Sequence, residues 1–162
     1  MTSLVYLSLG SNVGDRENHL RDAIRRLTSL GRVALVSSFY ETEPVEFTEQ
    51  AWFLNCGVAL ETTKTPEQLL TALLRIEREM GRRRTQTKGP RTIDIDILLF
   101  GDVVIDTPAL TIPHPAMYQR RFVLEPLAEV APEARHPLLK KTVRELLAAL
   151  PAGQAVRKVE TS

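Results

Sequence analysis

Cysteine is almost absent from the chain: Cys56 is the only one. A single thiol excludes an internal disulfide and any cysteine-cluster metal site, so nothing in the sequence asks for an oxidising compartment. Long apolar runs are missing too. No stretch approaches the roughly 18 residues of a membrane span, and Met1-Thr2-Ser3 leads straight into Leu4-Val5-Tyr6-Leu7 without a basic leader. Charge of one sign is lacking overall, since 21 Lys and Arg stand against 20 Asp and Glu for a net +1. Wholesale affinity for nucleic acid or an anionic membrane needs an extended field that such a chain cannot generate. Aromatics make up only 6%. Phosphate-binding glycine loops of the G-x-x-x-x-G-K-[ST] and G-x-G-x-x-G kinds are absent, as is a kinase catalytic loop, which removes the common nucleotide folds.

What is present is a chain of 162 residues with 43% apolar content, the size of one domain with an ordinary core. One domain over residues 1–162, with its core at about 4–150, is the expectation. Leu4 to Leu9 reads as a strand that ends in the turn cluster Gly10-Ser11-Asn12-Val13-Gly14-Asp15. From Glu17, the spacing of Leu20, Ile24 and Leu27 predicts a helix stopped at Gly31. Val33–Tyr40 and Phe53–Leu60 read as strands joined by a polar loop. Thr65-Pro66-Glu67-Gln68 is a capping box opening a helix whose buried face is Leu69, Leu73, Ile76 and Met80. Thr92–Phe100 alternates as a strand, and Gly101-Asp102 before Val103-Val104-Ile105 suggests a small hairpin. The stretch from Pro108 to Pro115 reads as irregular, Tyr118–Glu129 as short helices, and Thr142-Val143-Arg144-Glu145 as a second capping box opening a helix to Leu150. Residues from Gly153 on should fray. The order βαββαβ is the ferredoxin-like α+β arrangement: an antiparallel sheet with helices on one face, followed by a C-terminal hairpin and helices.

Alternation in the fourth strand puts Ile93, Ile95 and Ile97 on one face and Asp94 with Asp96 on the other. Two carboxylates at that spacing are about 6–7 Å apart. At ~6 Å and an effective dielectric of ~20 their repulsion is roughly 2–3 kcal/mol, which a hard divalent cation or arginines would offset. A bare pair of this kind also occurs on plain solvated sheet faces. The neighbourhood favours the cation. From Arg75 to Arg91 there are seven basic residues (Arg75, Arg78, Arg82, Arg83, Arg84, Lys88, Arg91) against Glu77 and Glu79, a local +5 that leaves −4 for the remainder. Carboxylates beside a basic loop suit a polyphosphate with its metal. In the third strand Phe53 and Asn55 share the less apolar face, where a ring and an amide could meet a flat heterocycle; packing would explain the same pair. His19, His114 and His136 show no zinc-ligand spacing.

Six blocks in order carry a family resemblance: Leu9-Gly10-Ser11-Asn12-Val13-Gly14-Asp15-Arg16; Tyr40-Glu41-Thr42-Glu43-Pro44-Val45; Phe53-Leu54-Asn55; Ile76-Glu77 to Gly81-Arg82-Arg83-Arg84; Gly89-Pro90-Arg91-Thr92-Ile93-Asp94-Ile95-Asp96-Ile97-Leu98; and Ile112-Pro113-His114-Pro115 to Arg120-Arg121-Phe122-Val123-Leu124. From about Leu9 to Pro132 the chain resembles the hydroxymethyldihydropterin pyrophosphokinases of folate biosynthesis. The resemblance implies a cytoplasmic, Mg-dependent transferase that moves the diphosphoryl group of ATP to the hydroxymethyl group of the pterin and releases AMP. It implies Arg82, Arg91, Asp94 and Asp96 as catalytic residues, with Asp94 and Asp96 holding two magnesium ions. Around ATP it implies Glu77, Arg82, Arg84, Arg91, Ile97, Thr111, His114 and Arg120, with Ile97 and Thr111 near the adenine. Around the pterin it implies Thr42, Pro44, Val45, Phe53, Asn55 and Phe122. Lys88 departs from the aromatic that many members carry before Gly-Pro-Arg.

The partners expected are small molecules, ATP and the pterin alcohol, with neither nucleic acid nor membrane. The main rival is a ferredoxin-like module that binds single-stranded RNA on its sheet. Against it stand the absence of an RNP1-like segment and the two acids on the strand that would face RNA.

Overall fold

Why the first strand is so deeply seated follows from its alternation. In β1 (Ser3–Ser11) Val5, Leu7 and Leu9 face one way and are fully buried, while Tyr6, Ser8 and Gly10 face the other. The structure is a computed structural model that describes residues 2–43, 52–81, 92–153 and 155–159. Asp15 caps the first helix, α1 (Arg16–Leu27), by accepting from the Asn18 N–H, and Leu20, Ala23 and Leu27 meet the sheet.

The strand expected over Val33–Tyr40 is two strands, β2 (Arg32–Val36) and β3 (Phe39–Thr42). Side-chain oxygens interrupt it. The Ser37 N–H still donates to the Gly57 carbonyl at 2.9 Å, but Ser37 Oγ accepts from the Gly57 N–H at 2.8 Å and the Ser38 N–H donates to a Glu129 carboxylate oxygen at 2.7 Å, so side chains take over part of the ladder. The next strand, β4 (Phe53–Thr62), turns Leu54, Cys56, Val58 and Leu60 into the same core as β1. The predicted capping box at Thr65 and Gln68 is present and opens α2 (Pro66–Glu79), which buries Leu69, Leu73 and Ile76. It leads to β5 (Asp94–Phe100).

The main sheet runs β5-β1-β4, after which β2 and β3 share the far side of β4 end to end. Every pairing in it is antiparallel. Between Tyr6 and Leu7 the β1–β5 register shifts, because Leu98 is one residue too many for its partner. Ile95 and Ile97 therefore join the first core, whereas Leu98 and Leu99 both join a second core on the opposite face.

Helices do not stay on one face. α1 and α2 line the first, and α3 (Arg121–Val130) with α4 (Val143–Ala148) lie on the second, packing Leu124, Leu127, Val143 and Leu146 over Leu98 and Leu99. α3 is one continuous helix with Pro126 inside it, where short helices were expected. A Cβ on Gly57 would sit 3.3 Å from the Pro126 backbone, so the bare strand lets α3 approach. The second capping box, at Thr142 and Glu145, is also present, but its helix ends at Ala148 rather than Leu150.

Two further expectations need correction. The small hairpin does not fold back at Gly101-Asp102; it pairs β6 (Ile105–Asp106) with β7 (Thr111–Ile112), and β7 lies inside the stretch read as irregular. Thr107 and Leu110 close its loop with mutual backbone bonds, which leaves Pro108 outside the ladder. Nor do residues 156–159 fray, although they lie within the stretch expected to do so. β8 (Val156–Val159) pairs with β3, and the half-buried Val159 packs against the first core.

Candidate active site

Strand pairing builds one row of residues across the second face. Gly10 stands opposite Asp94 on one side and opposite Asn55 on the other, and Ser8 likewise stands opposite Asp96 and Gly57. With neighbouring strands about 4.8 Å apart, the backbones of Asp94 and Asn55 are roughly 10 Å from each other across Gly10. Gly10 supplies no side chain to fill that interval. A Cβ there would come within 2.4 Å of Asn55 Oδ1, so the glycine is what allows the amide to lie over the strand.

At the Asn55 end, Nδ2 donates to Thr42 Oγ1 at 2.8 Å, and both residues are almost closed to solvent, at 4% and 1% exposed. The bond fixes the amide plane and leaves Oδ1 turned toward Gly10. Phe53 pairs with Thr42 at the mouth of the same strands and is half-buried. This arrangement offers a ring face beside a fixed amide.

At the other end Asp96 is exposed and Asp94 half-buried. Between them, the Ile95 N–H donates at 2.8 Å to Glu77 Oε2 from α2, and Glu77 is only 4% exposed. A buried carboxylate thus fastens the strand midway between the two aspartates. His114 approaches from the chain beyond β7. Its N–H donates to the Leu98 carbonyl at 3.0 Å, and its Nδ1 accepts from the Ala116 N–H at 3.1 Å. Burial lowers the imidazole pKa from its ordinary value; the Asp96 charge pulls the other way, and the Arg120 charge lowers it again. Because Nδ1 accepts the Ala116 N–H, the ring carries a proton on Nε2, as a donor. Arg120 is the N-cap residue of α3, and its guanidinium carbon sits 5.5 Å from the centre of the Phe122 ring.

These positions bring together Thr42, Phe53 and Asn55 at one end of the row and Asp94, Asp96, His114 and Arg120 at the other. Ile97 is buried in the first core, on the opposite face from the aspartates. Thr111 lies on β7, beside β5. Pro44, Val45, Arg82, Arg84 and Arg91 lie outside the described residues. Among the described residues no three His, Cys, Asp or Glu converge on one point; the oxygen donors on β5 at this end of the row are the carboxylates of Asp94 and Asp96. Oxygen-only donors of that kind fit magnesium. Sequence reasoning treated Gly10 as a turn residue only. A glycine at the end of a strand pattern is a signal of close backbone approach, but its two partners are visible only once the pairing is known.

The sequence profile described as 7,8-dihydro-6-hydroxymethylpterin-pyrophosphokinase (HPPK) matches residues 6–132. The chain is 49% identical over 132 residues to the 2-amino-4-hydroxy-6-hydroxymethyldihydropteridine pyrophosphokinase of Bacillus subtilis, covering 80% of this chain and 79% of that protein. It is 41% identical over 141 residues to the protein of the same name from Aquifex aeolicus, covering 87% and 88%. Against the folic acid synthesis protein fol1 of Schizosaccharomyces pombe the identity is 43% over 156 residues; that match takes 95% of this chain but only 21% of the fungal protein. In fold it is similar to the wild-type Plasmodium falciparum HPPK-DHPS solved with pteroate, with a TM-score of 0.74 at 20% identity, covering 91% of this chain and 42% of that one.

Proposed function

The chain belongs to the 7,8-dihydro-6-hydroxymethylpterin-pyrophosphokinase family, and from that premise we propose how its residues carry out the transfer. It is an ATP-dependent diphosphokinase of folate biosynthesis, in which the diphosphoryl group of ATP passes to the hydroxymethyl oxygen of 6-hydroxymethyl-7,8-dihydropterin and AMP leaves. The new bond joins that oxygen to the β-phosphorus. The bond from the β-phosphorus to the α–β bridging oxygen breaks, that oxygen leaves with AMP, and the hydroxyl proton is released to solvent.

The observation that carries the residue assignment is the row Asp94, Gly10, Asn55. Asn55, held by Thr42, reads the donor–acceptor edge of the pterin, and Phe53 and Phe122 take its faces. Pro44 and Val45 complete this end by sequence position. About 10 Å from Asn55 across Gly10, Asp94, together with Asp96 two residues on, would hold the two magnesium ions that accompany the triphosphate. Bound there, magnesium neutralises phosphate oxygens and makes the hydroxyl more acidic. His114 offers its Nε2–H and Arg120 its guanidinium to the same oxygens, joined by Arg82, Arg84 and Arg91. Transfer of this kind asks little covalent chemistry of the protein; it asks for in-line positioning and cancelled charge. Toward the adenine, the outward turn of the Ile95 N–H to Glu77 sets the strand parity. The Ile97 N–H and C=O, two residues on, point to the same outer edge beside Thr111, where a backbone pair can read a purine.

The same reading takes residues 1–162 as one domain in a cytoplasmic setting, with neither nucleic acid nor membrane as partner. In support, Cys56 is buried with its thiol pKa pushed up to about 12, and among the described residues no helix is long and apolar enough to cross a membrane.

A coupled AMP-release assay with the pterin alcohol as acceptor tests the assignment. Asp94→Ala and Asp96→Ala should each lower turnover at least about a hundredfold with the circular dichroism spectrum retained. AMP release at the wild-type rate by either variant would remove the metal role. RNA binding that weakens steeply with salt and ignores MgATP would overturn the enzyme reading altogether.

A further inference from the structure

Thr42 is the last residue of β3 and Phe53 the first of β4, so the two residues assigned to the pterin sit at strand ends, where pairing usually frays. Here the ends are fastened from outside the active site by the C-terminal strand. Glu41, just before Thr42, pairs in register with Arg157 of β8, and the Arg157 guanidinium donates to Glu41 Oε2 at 2.9 Å. Glu43, just after Thr42, exchanges bonds with Ala155: the Ala155 N–H donates to Glu43 Oε1 at 2.8 Å, and the Glu43 N–H donates to the Ala155 carbonyl at 3.2 Å. Trp52, just before Phe53, lies under the same Arg157, whose guanidinium carbon is 5.4 Å from the ring centre. From below, Arg16 of α1 ties the two ends together, donating to the Trp52 carbonyl at 2.8 Å and to Glu41 Oε1 at 3.1 Å.

We propose that β8, acting through Arg157 and Ala155, is a positioning clamp that sets the spacing of Thr42 and Phe53 and so tunes affinity for the pterin. The proposal rests on the assignment of Thr42 and Phe53 to that substrate. Each flanking neighbour of Thr42 is held by a different residue of the C-terminal segment, and Phe53 is reached through its neighbour Trp52. None of these holding groups lies in the row of Asp94, Gly10 and Asn55. A pure stability device would need only the β3–β8 ladder. This one adds a guanidinium shared between a carboxylate on one strand end and the ring at the other.

The chain supplies its own reporter, because Trp52 is its only tryptophan. Titrating the pterin alcohol against Trp52 emission gives a dissociation constant without turnover, and the AMP assay gives kcat and both KM values. In Arg157→Ala the pterin dissociation constant and KM should rise about fivefold, with kcat and the KM for ATP unchanged. This is what an exposed pair of up to ~1 kcal/mol allows. Arg157→Lys should recover part of the loss, and Glu41→Gln, which keeps its shape, should show the same split. Wild-type pterin affinity in both Arg157→Ala and Glu41→Gln would overturn the clamp alone. Equal increases in the KM for both substrates would mark general loosening and overturn it too. A wild-type protein that neither responds to the pterin alcohol nor releases AMP would overturn the substrate assignment, and the clamp with it.

Discussion

Gly10 is the residue on which the proposed site turns, since an atom added there meets Asn55 Oδ1 at 2.4 Å while Asn55 is held from behind by Thr42. Gly10→Ala should therefore displace the amide, lowering stability by about 1–3 kcal/mol as overpacking does. It should raise the pterin dissociation constant more than that of MgATP, which paired binding titrations would check. Equal losses for the two ligands would place the effect in packing. Away from the site, His136 is nearly closed to solvent, and its Nδ1 accepts the N–H groups of both Leu138 and Leu139. Burial holds its pKa below the usual 6.5. As pH falls through 6.5, the unfolded chain takes up this proton before the folded one does. The contribution of His136 is thus complete above 6.5 and is lost toward the lower folded value. His136→Asn, whose Oδ1 can accept the same bonds without titrating, should flatten the fall in urea midpoint between pH 7 and pH 5 relative to wild type.

Among the elements, the link from α2 to β5 is the one that joins packing to chemistry. Glu77 is buried and accepts the Ile95 N–H between the two aspartates. Glu77→Gln retains an acceptor and should cost little. Glu77→Ala leaves that N–H unsatisfied and should cost about 1–3 kcal/mol in denaturant unfolding, with MgATP affinity falling as well. The elements themselves were largely legible in the sequence. Both capping boxes, the face of α2 and the alternation of Ile93 to Ile97 against Asp94 and Asp96 depend on residues a few positions apart, and each stands as read. Where long-range partners decide, local pattern failed. The break at Ser37-Ser38 depends on Gly57 and on Glu129, 91 residues away from Ser38. β8 is four residues whose strand character comes from a partner more than a hundred positions earlier. The site divides in the same way: the carboxylates and Phe53 with Asn55 were visible as patterns, but the Gly10 row needed the register.

For the molecule as a whole, the near-zero net charge is a sum of unequal parts, +5 between Arg75 and Arg91 and −4 elsewhere. Of the basic residues in that segment, Arg75 and Arg78 are on α2, and the described chain resumes at Thr92, two residues before Asp94 at the proposed phosphate end. Two cores on opposite faces of the sheet then serve different purposes. The first, under α1 and α2, is continuous along β1, β4 and β5, and the second, under α3 and α4, leaves the row of Asp94, Gly10 and Asn55 to polar chemistry. The surplus residue at Leu98 is what makes this division compatible with one short strand. Asp94, Asp96 and Phe100 all have even numbers, and an unbroken pleat would send them to the same side. That side would be either the first core, entombing two charges, or the opposite face, leaving a phenyl ring out of its socket. One extra position reverses the parity partway along β5. A seven-residue strand can thus present acids at its start and still bury Phe100, which is 3% exposed, under the other layer at its end.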